Sequence, residues 1–353
     1  MKVTILGTGN AGTAMAADLT NKGHTVNLLK TSASKSENFT YLEKNRTVEV
    51  DDLNNTYKAR LNMVTRDFSQ AFKEKQDLVV IFIQTKYHEE VIKKLLPYLD
   101  DGQIIYILPG YLSTAYVKKY SNKNLIVVEG ESSPIDCRLV DPGHVKVLFK
   151  NIRNPIGIYP AKKKDQVFKI MNELDYNFTL LDSVVEAALH NPNLIVHTIG
   201  AIMSIPRIEY SEGNYSMYKE VFTPTIMNLV KELDREKIQI LKALDLKELN
   251  YVDACKFRNS KDLSLDSLDV FFDYAENFSP EGPFIAANRY ITEDVPEGLV
   301  LMESLGKILG IETPVASALI DIAGACLQRD FRQMGRTIDR LGKDQLKEIF
   351  LDK

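Results

Sequence analysis

Cysteine is scarce in this chain of 353 residues, with only Cys137, Cys255 and Cys326 present. Three widely spaced thiols supply neither a disulfide framework nor the ligand pairs of a zinc site, and they fit a reducing, cytoplasmic setting. Long apolar runs are missing as well. Stretches such as 78–83 and 194–196 fall far short of the roughly 20 residues that cross a bilayer, so a membrane is not an expected partner. Glycines and Asp18 break up the apolar N-terminal stretch, which excludes the h-region of an export signal. Charge of one sign is not in excess either: 44 Lys and Arg stand against 48 Asp and Glu, a formal −4 spread along the chain. Without a clustered basic surface, nucleic acid is not an expected partner.

What is present is the make-up of a folded protein, 44% hydrophobic and 26% charged, long enough for two cores. The first half alternates short β-type runs with helical patterns, starting from a strand over 2–6, a glycine turn, a helix over 13–22 ending at Gly23, and a strand over 24–30. Further strands are expected over 60–64, 78–84, 103–108 and 125–128, with helices over 68–74, 88–99 and 114–120. Runs over 145–149 and 154–159 extend the sheet, and a helix over 162–174 leads to a last strand over 177–181. The strands starting at Leu78 and Gln103 are almost continuously apolar, as parallel strands covered on both faces should be. Beyond residue 182 helical periodicity takes over, at 183–189, 193–205, 215–244, 298–309, 315–327 and 331–341, around a less regular cap over 253–288. The expected fold is α/β: a Rossmann-type parallel-sheet domain over 1–182 followed by an all-α domain over 183–353.

The turn Gly7-Thr8-Gly9-Asn10-Ala11-Gly12 leaves the first strand and opens the first helix. In that context Gly7 permits the tight turn, Gly9 lets a pyrophosphate approach the backbone, and Gly12 lets helix and strand pack closely. The helix N-terminus then faces the anion. A nicotinamide dinucleotide is the expected ligand. Sites that prefer NAD place a carboxylate at the end of the second strand, on the ribose 2′-OH. Here that place holds Lys30, Thr31 and Ser32, and the first carboxylate is Glu37. A lysine among hydroxyls suits a 2′-phosphate, so NADP is expected over NAD, which remains possible. Thr85 and Gly110, each just past the carboxyl end of a strand, are further cofactor candidates.

Of five histidines, His24, His88 and His144 read as ordinary: before a strand, near the start of an exposed helix, and in a Pro-Gly turn. His190 precedes Asn191-Pro192, an N-cap with proline at the first helical position. His197 differs, because its helix is apolar nearly all round and must be buried. A buried imidazole needs a hydrogen-bond partner, and a carboxylate would orient it and favour its charged form. Asp294, just before a helix start marked by Pro296, reads as a capping residue or as such a partner. Arg289 reads as a carboxylate clamp or a surface arginine. No spacing suggests a metal site.

The segments Asn191-Pro-Asn-Leu-Ile-Val-His197 and Arg289-Tyr-Ile-Thr-Glu-Asp294-Val-Pro-Glu-Gly298, with Leu108-Pro109-Gly110 and Glu131-Ser-Ser-Pro-Ile-Asp-Cys137-Arg138, resemble the octopine/nopaline (opine) dehydrogenase family over nearly the whole chain. The resemblance implies an enzyme that condenses the amine of an amino acid with a 2-oxo acid such as pyruvate, and reduces the imine with NAD(P)H to an N-(1-carboxyalkyl) amino acid. It implies His197 as general acid/base, Asp294 as its orienting partner and Arg289 as a substrate-carboxylate ligand; independently of it, substrate is expected between the domains, where clefts commonly host such sites. Thr198-Ile199-Gly200 and Glu129-Gly130-Glu131-Ser132-Ser133 depart from the family's wording and leave the substrate pair open. Two other readings stand beside this one. A 2-oxo acid reductase resembling ketopantoate reductase would use a helix lysine, and none lies between Lys169 and Lys219. A non-catalytic NADP-binding sensor would need only the glycine turn. Nothing in the sequence decides between a monomer and a homodimer.

Overall fold

A computed structural model describes residues 1–212 and 214–353. The chain divides into two units, Met1–Val184 with Asp352–Lys353, and Val185–Leu351. The first is built on twelve strands: β1 (Lys2–Leu6), β2 (Thr25–Leu29), β3 (Thr47–Asp51), β4 (Thr56–Arg60), β5 (Met63–Thr65), β6 (Leu78–Ile81), β7 (Ile104–Ile107), β8 (Ile126–Gly130), β9 (Ile135–Asp141), β10 (His144–Lys150), β11 (Asn154–Tyr159) and β12 (Phe178–Leu180). Eight form a sheet in the order β12-β11-β8-β7-β6-β1-β2-β5. All neighbours in it run parallel except β11 and β8. β6 and β7 are buried along their whole length, which explains their unbroken apolar spelling. The ordering around β1 reverses direction of travel, and ligands of such sheets bind at that switch, beyond the carboxyl ends of the strands.

A second sheet, ordered β4-β3-β10-β9, differs from the expectation in two ways. The run over 145–149 does not extend the main sheet but pairs antiparallel with β9 and parallel with β3. The run over 60–64 is not one strand, because β4 ends at Arg60 in this sheet and β5 starts at Met63 in the other. β3 alternates half-exposed and buried residues, and β4 alternates exposed residues with half-buried Tyr57 and buried Ala59, the pattern of a sheet covered on one face. That face packs on the helix Asn10–Asn21, which opens from the glycine turn. The helix Glu37–Asn45, capped by the Ser36 hydroxyl, was not expected either.

The second unit is all-helical. Its helix Asn193–Met203 is buried from Leu194 to Ile202. The expected helix over 215–244 is instead the single turn Met217–Glu220 and the helix Pro224–Ala243, capped by Thr223. Pro224 has no N–H and cannot continue a preceding helix, but it suits a first turn. The cap over 253–288 is more regular than its composition suggests, with helices Tyr251–Asn259 and Ser267–Asn277 started by the side chains of Asn250 and Asp266. The expected helix over 331–341 breaks into Phe331–Met334 and Ile338–Leu341, because Gly335 is extended. No helix among the described residues is long and apolar enough to cross a membrane.

Candidate active site

In the first unit β1 runs into Gly7, whose φ is +130° and where a Cβ would stand 2.1 Å from the Phe82 carbonyl oxygen. A Cβ on Gly12 would stand 2.0 Å from the Gly7 oxygen. Neither position admits a side chain. Gly9 is different: a Cβ there meets nothing within 4 Å, so its smallness leaves open space above the turn. The helix beginning at Asn10 has no acidic residue in its first turn and no side-chain cap at its N-terminus, so an anion faces no repulsion there. Thr8 is buried, and its carbonyl accepts from Asn38 Nδ2 at 2.9 Å. Ala11 is half-buried, and Asn10 is exposed with its side-chain oxygen accepting the Leu139 N–H at 3.2 Å.

At the end of β2, Lys30 Nζ lies 3.1 Å from Ser32 Oγ and 3.4 Å from Ser34 Oγ. Thr31 between them is half-buried. Arg66, at the end of β5, donates to the carbonyls of Ser32 (2.8 Å) and Ser34 (3.3 Å). Burial, and then the Arg66 charge, pull the Lys30 ammonium below the usual lysine range. Two cations that repel one another beside two hydroxyls are stabilised by a bound dianion. Sequence reasoning missed Arg66, which stands 36 positions from Lys30 and reaches it only through the pairing of β2 with β5.

Thr85 and Gly110 lie beyond the ends of β6 and β7, both buried. Gly110 has a structural reason for being glycine: a Cβ would stand 2.0 Å from Glu129 Oε2. Glu129, fully buried, accepts from Leu112 N (2.8 Å), Thr114 N (2.7 Å) and Thr114 Oγ1 (2.7 Å), pinning the loop after β7. His88 helps hold the same loop. It is buried rather than on an exposed helix face, with Nδ1 2.8 Å from Ser113 Oγ, because its helix packs that face on the helix Thr114–Tyr120.

In the second unit the Asn191 side chain accepts the Asn193 N–H at 3.0 Å and starts the helix that carries His197. His197 is 7% exposed and Asp294 3%. Nδ1 of His197 and Oδ2 of Asp294 are 2.8 Å apart, although 97 positions separate the residues. Asp294 makes no side-chain cap to the turn it begins; its carboxylate goes to the imidazole. Tyr290, which sequence reasoning passed over, stacks on the imidazole with centroids 3.6 Å apart and planes 17° off parallel. The hydrogen bond sets the rotation of the ring and the stack sets its plane. Asn288 Oδ1 accepts the Tyr290 N–H at 2.8 Å and so fixes the start of that turn. Arg289 precedes Tyr290, is 63% exposed, and lies 3.6 Å from the Glu293 carboxylate. His190, by contrast, is held well below the usual histidine range by burial, with the Lys237 and Arg258 charges adding to it. It is a neutral core residue.

A glycine-turn dinucleotide fold followed by an all-α unit with an oriented imidazole defines the class of NAD(P)-dependent dehydrogenases. Residues 180–327 match the family described as NAD/NADP octopine/nopaline dehydrogenase, alpha-helical domain. Residues 2–120 match the NAD-dependent glycerol-3-phosphate dehydrogenase N-terminus. An opine dehydrogenase of Arthrobacter sp. (strain 1C) is 26% identical over 348 residues, covering 96% of this chain and 94% of the relative. A vitopine synthase of Allorhizobium ampelinum is 23% identical over 352 residues, with 96% and 94% covered. An octopine dehydrogenase solved with NADH and agmatine superposes with a TM-score of 0.78 at 18% identity, covering 100% of this chain and 98% of that one. The chain is thus similar to opine dehydrogenases along 96% of its length, and its helical unit matches that family's helical domain.

Proposed function

We propose that this protein is an NADP-preferring opine dehydrogenase that joins an amino acid to a 2-oxo acid such as pyruvate and reduces the product to a secondary amine. The observation that carries the reading is the buried, doubly oriented His197–Asp294 pair. The Gly7–Gly12 turn fits a pyrophosphate, since Gly7 and Gly12 close the turn and Gly9 leaves room above it. Lys30, Thr31, Ser32 and Arg66 would hold the 2′-phosphate, with Thr85 and Gly110 bordering the site. Bound there, the cofactor supplies the hydride that reduces the C=N carbon.

His197 moves the protons. With Nδ1 engaged by Asp294, Nε2 takes a proton from the substrate ammonium and frees the amine to attack the oxo carbon. The resulting imidazolium, stabilised by the Asp294 carboxylate, gives that proton to the oxo oxygen as the C–N bond forms. The imidazole then relays a second proton from the attached nitrogen to the same oxygen, which leaves as water and leaves the C=N bond behind. Arg289 would bind a substrate carboxylate through its planar fork. Its exposure leaves the guanidinium within reach of an entering anion. Three unpaired thiols, Cys137, Cys255 and Cys326, accord with a cytoplasmic setting.

The test is to mix the protein with NADPH and add pyruvate, with and without a panel of amino acids, following the nicotinamide absorbance. Oxidation that needs both partners supports the proposal. Oxidation by the oxo acid alone would identify a hydroxy-acid enzyme, and binding of NADPH with no turnover would identify a sensor.

A further inference from the structure

Asp294 leads into the π turn Val295–Leu299. Pro296 has no N–H, and the helical register slips there: the Val300 N–H bonds to the Val295 carbonyl, where an α register would use that of Pro296. The Pro296 carbonyl accepts instead the backbone N–H of Arg336 at 3.0 Å. Arg336 is also the largest fully buried side chain of the protein, and its Nε donates to Glu297 Oε2 at 2.5 Å. Gly335 completes the seat, since a Cβ there would stand 2.5 Å from the Pro296 oxygen and 2.7 Å from Val300 Cγ1. The break that splits the expected helix over 331–341 is what delivers Arg336 to this turn.

A buried ion pair contributes little net stability compared with apolar residues of the same volume, but it demands one geometry. The turn it grips packs on the His197 helix and on the Arg289–Thr292 turn that carries Tyr290. We propose that Arg336 is a positioning residue: through Glu297 and the Pro296 carbonyl it sets the π turn, and with it the angle at which Asp294 meets the imidazole. The inference rests on the acid/base role proposed for His197.

The test is a cycle. Glu297→Gln with Arg336→Met removes both charges of this pair together, so that neither is left facing the other's vacancy. This pair of changes should lower kcat about 10²-fold, the effect of a small misplacement at the reacting groups, while NADPH affinity and KM stay near parental. In an Asp294→Asn background the same changes should lower kcat by less than about threefold, because the group they position is already gone. Parental kcat in the charge-free variant, or a full second loss in the Asp294→Asn background, overturns the proposal. If the charge-free variant does not fold, Arg336→Lys replaces it. It keeps the charge without the Nε geometry, and parental kcat there overturns the proposal equally. The downfield proton resonance of the imidazole–carboxylate bond gives a readout independent of turnover. It should vanish in Asp294→Asn and shift in Arg336→Lys; an unshifted line counts against Arg336. Asp294→Asn with parental kcat would instead remove the acid/base reading, and this proposal with it.

Discussion

Replacing Asp294 by Asn is close to isosteric: it keeps the volume beside His197 and the Tyr290 stack, but removes the charge. The Nδ1–Oδ2 distance is 2.8 Å, which puts the centres of the two delocalised charges about 4 Å apart when the imidazole is protonated. At an effective dielectric constant of about 20, such a pair attracts by about 4 kcal/mol. That is about a thousandfold in rate if the imidazolium forms on the way to the transition state. An amide can also turn its NH2 toward Nδ1 and select the wrong tautomer, which adds to the loss. Asp294→Asn should therefore lower kcat by about 10³ and leave NADPH affinity near parental, since the dinucleotide residues belong to the other unit. NADPH oxidation under saturating substrates measures the first quantity, and fluorescence titration with NADPH the second. A kcat within tenfold of parental, or a loss confined to KM, would show that the carboxylate does not serve the imidazole during turnover.

Lys30→Asp and Arg66→Ala should each weaken NADPH about 10- to 100-fold, the worth of one hydrogen bond to a charged group, with little loss for NADH; equal losses in paired titrations would sink the 2′-phosphate assignment. Gly9→Ala and Gly12→Ala should separate ligand space from packing. Gly9→Ala, with nothing within 4 Å of its new methyl, should melt like the parent but bind either dinucleotide weakly. Gly12→Ala, at 2.0 Å from the Gly7 oxygen, should lower Tm as well, and unchanged affinity in Gly9→Ala would refute a pyrophosphate at the turn. Burial opposes ionisation of Glu303, but bonds from Arg332, Lys307 and Ser317 outweigh it and hold the carboxyl at about 2, against an ordinary 4.5. A depressed pKa contributes stability that is present above the ordinary value and lost as pH falls toward 2, here about 1–2 kcal/mol once solvent screening of the half-exposed cations is allowed for. Urea unfolding should show Glu303→Gln destabilised near neutrality, with the gap to the parent closing as pH falls through 4; a gap independent of pH would count against the assignment.

The dinucleotide unit was legible because its signals are local. Strand, glycine turn and helix fall within the first 21 residues, and the steric limit at Gly12 acts against Gly7 a few positions before it. The buried helix of His197 was legible for the same reason, since an apolar surround shows in eleven consecutive residues. The second sheet was not, because its centre joins β3 to β10, about a hundred positions apart, and no local pattern encodes that pairing. Arg66 escaped notice on the same ground. Its residue type is ordinary at a strand end, and only the register Leu29 to Thr65 sets it beside Lys30.

Asp294 shows how a correct local rule can point past the chemistry. An acidic residue two positions before a proline reads as the start of a helix, and a helical turn does begin there. A capping carboxylate, however, is occupied by backbone N–H groups and has little left for a distant imidazole. In this protein Asp294 makes no side-chain cap to the π turn that follows, and the Pro296 carbonyl that the slipped register leaves over accepts the Arg336 N–H. The carboxylate of Asp294 pairs with His197 instead of with the backbone of its own turn. The pair was within reach of the sequence, since Asp294 also reads as a partner for a buried imidazole; the burial of Arg336 was not, because it sits in a stretch rich in charge, Arg332 to Arg340, where no local pattern marks one arginine as enclosed.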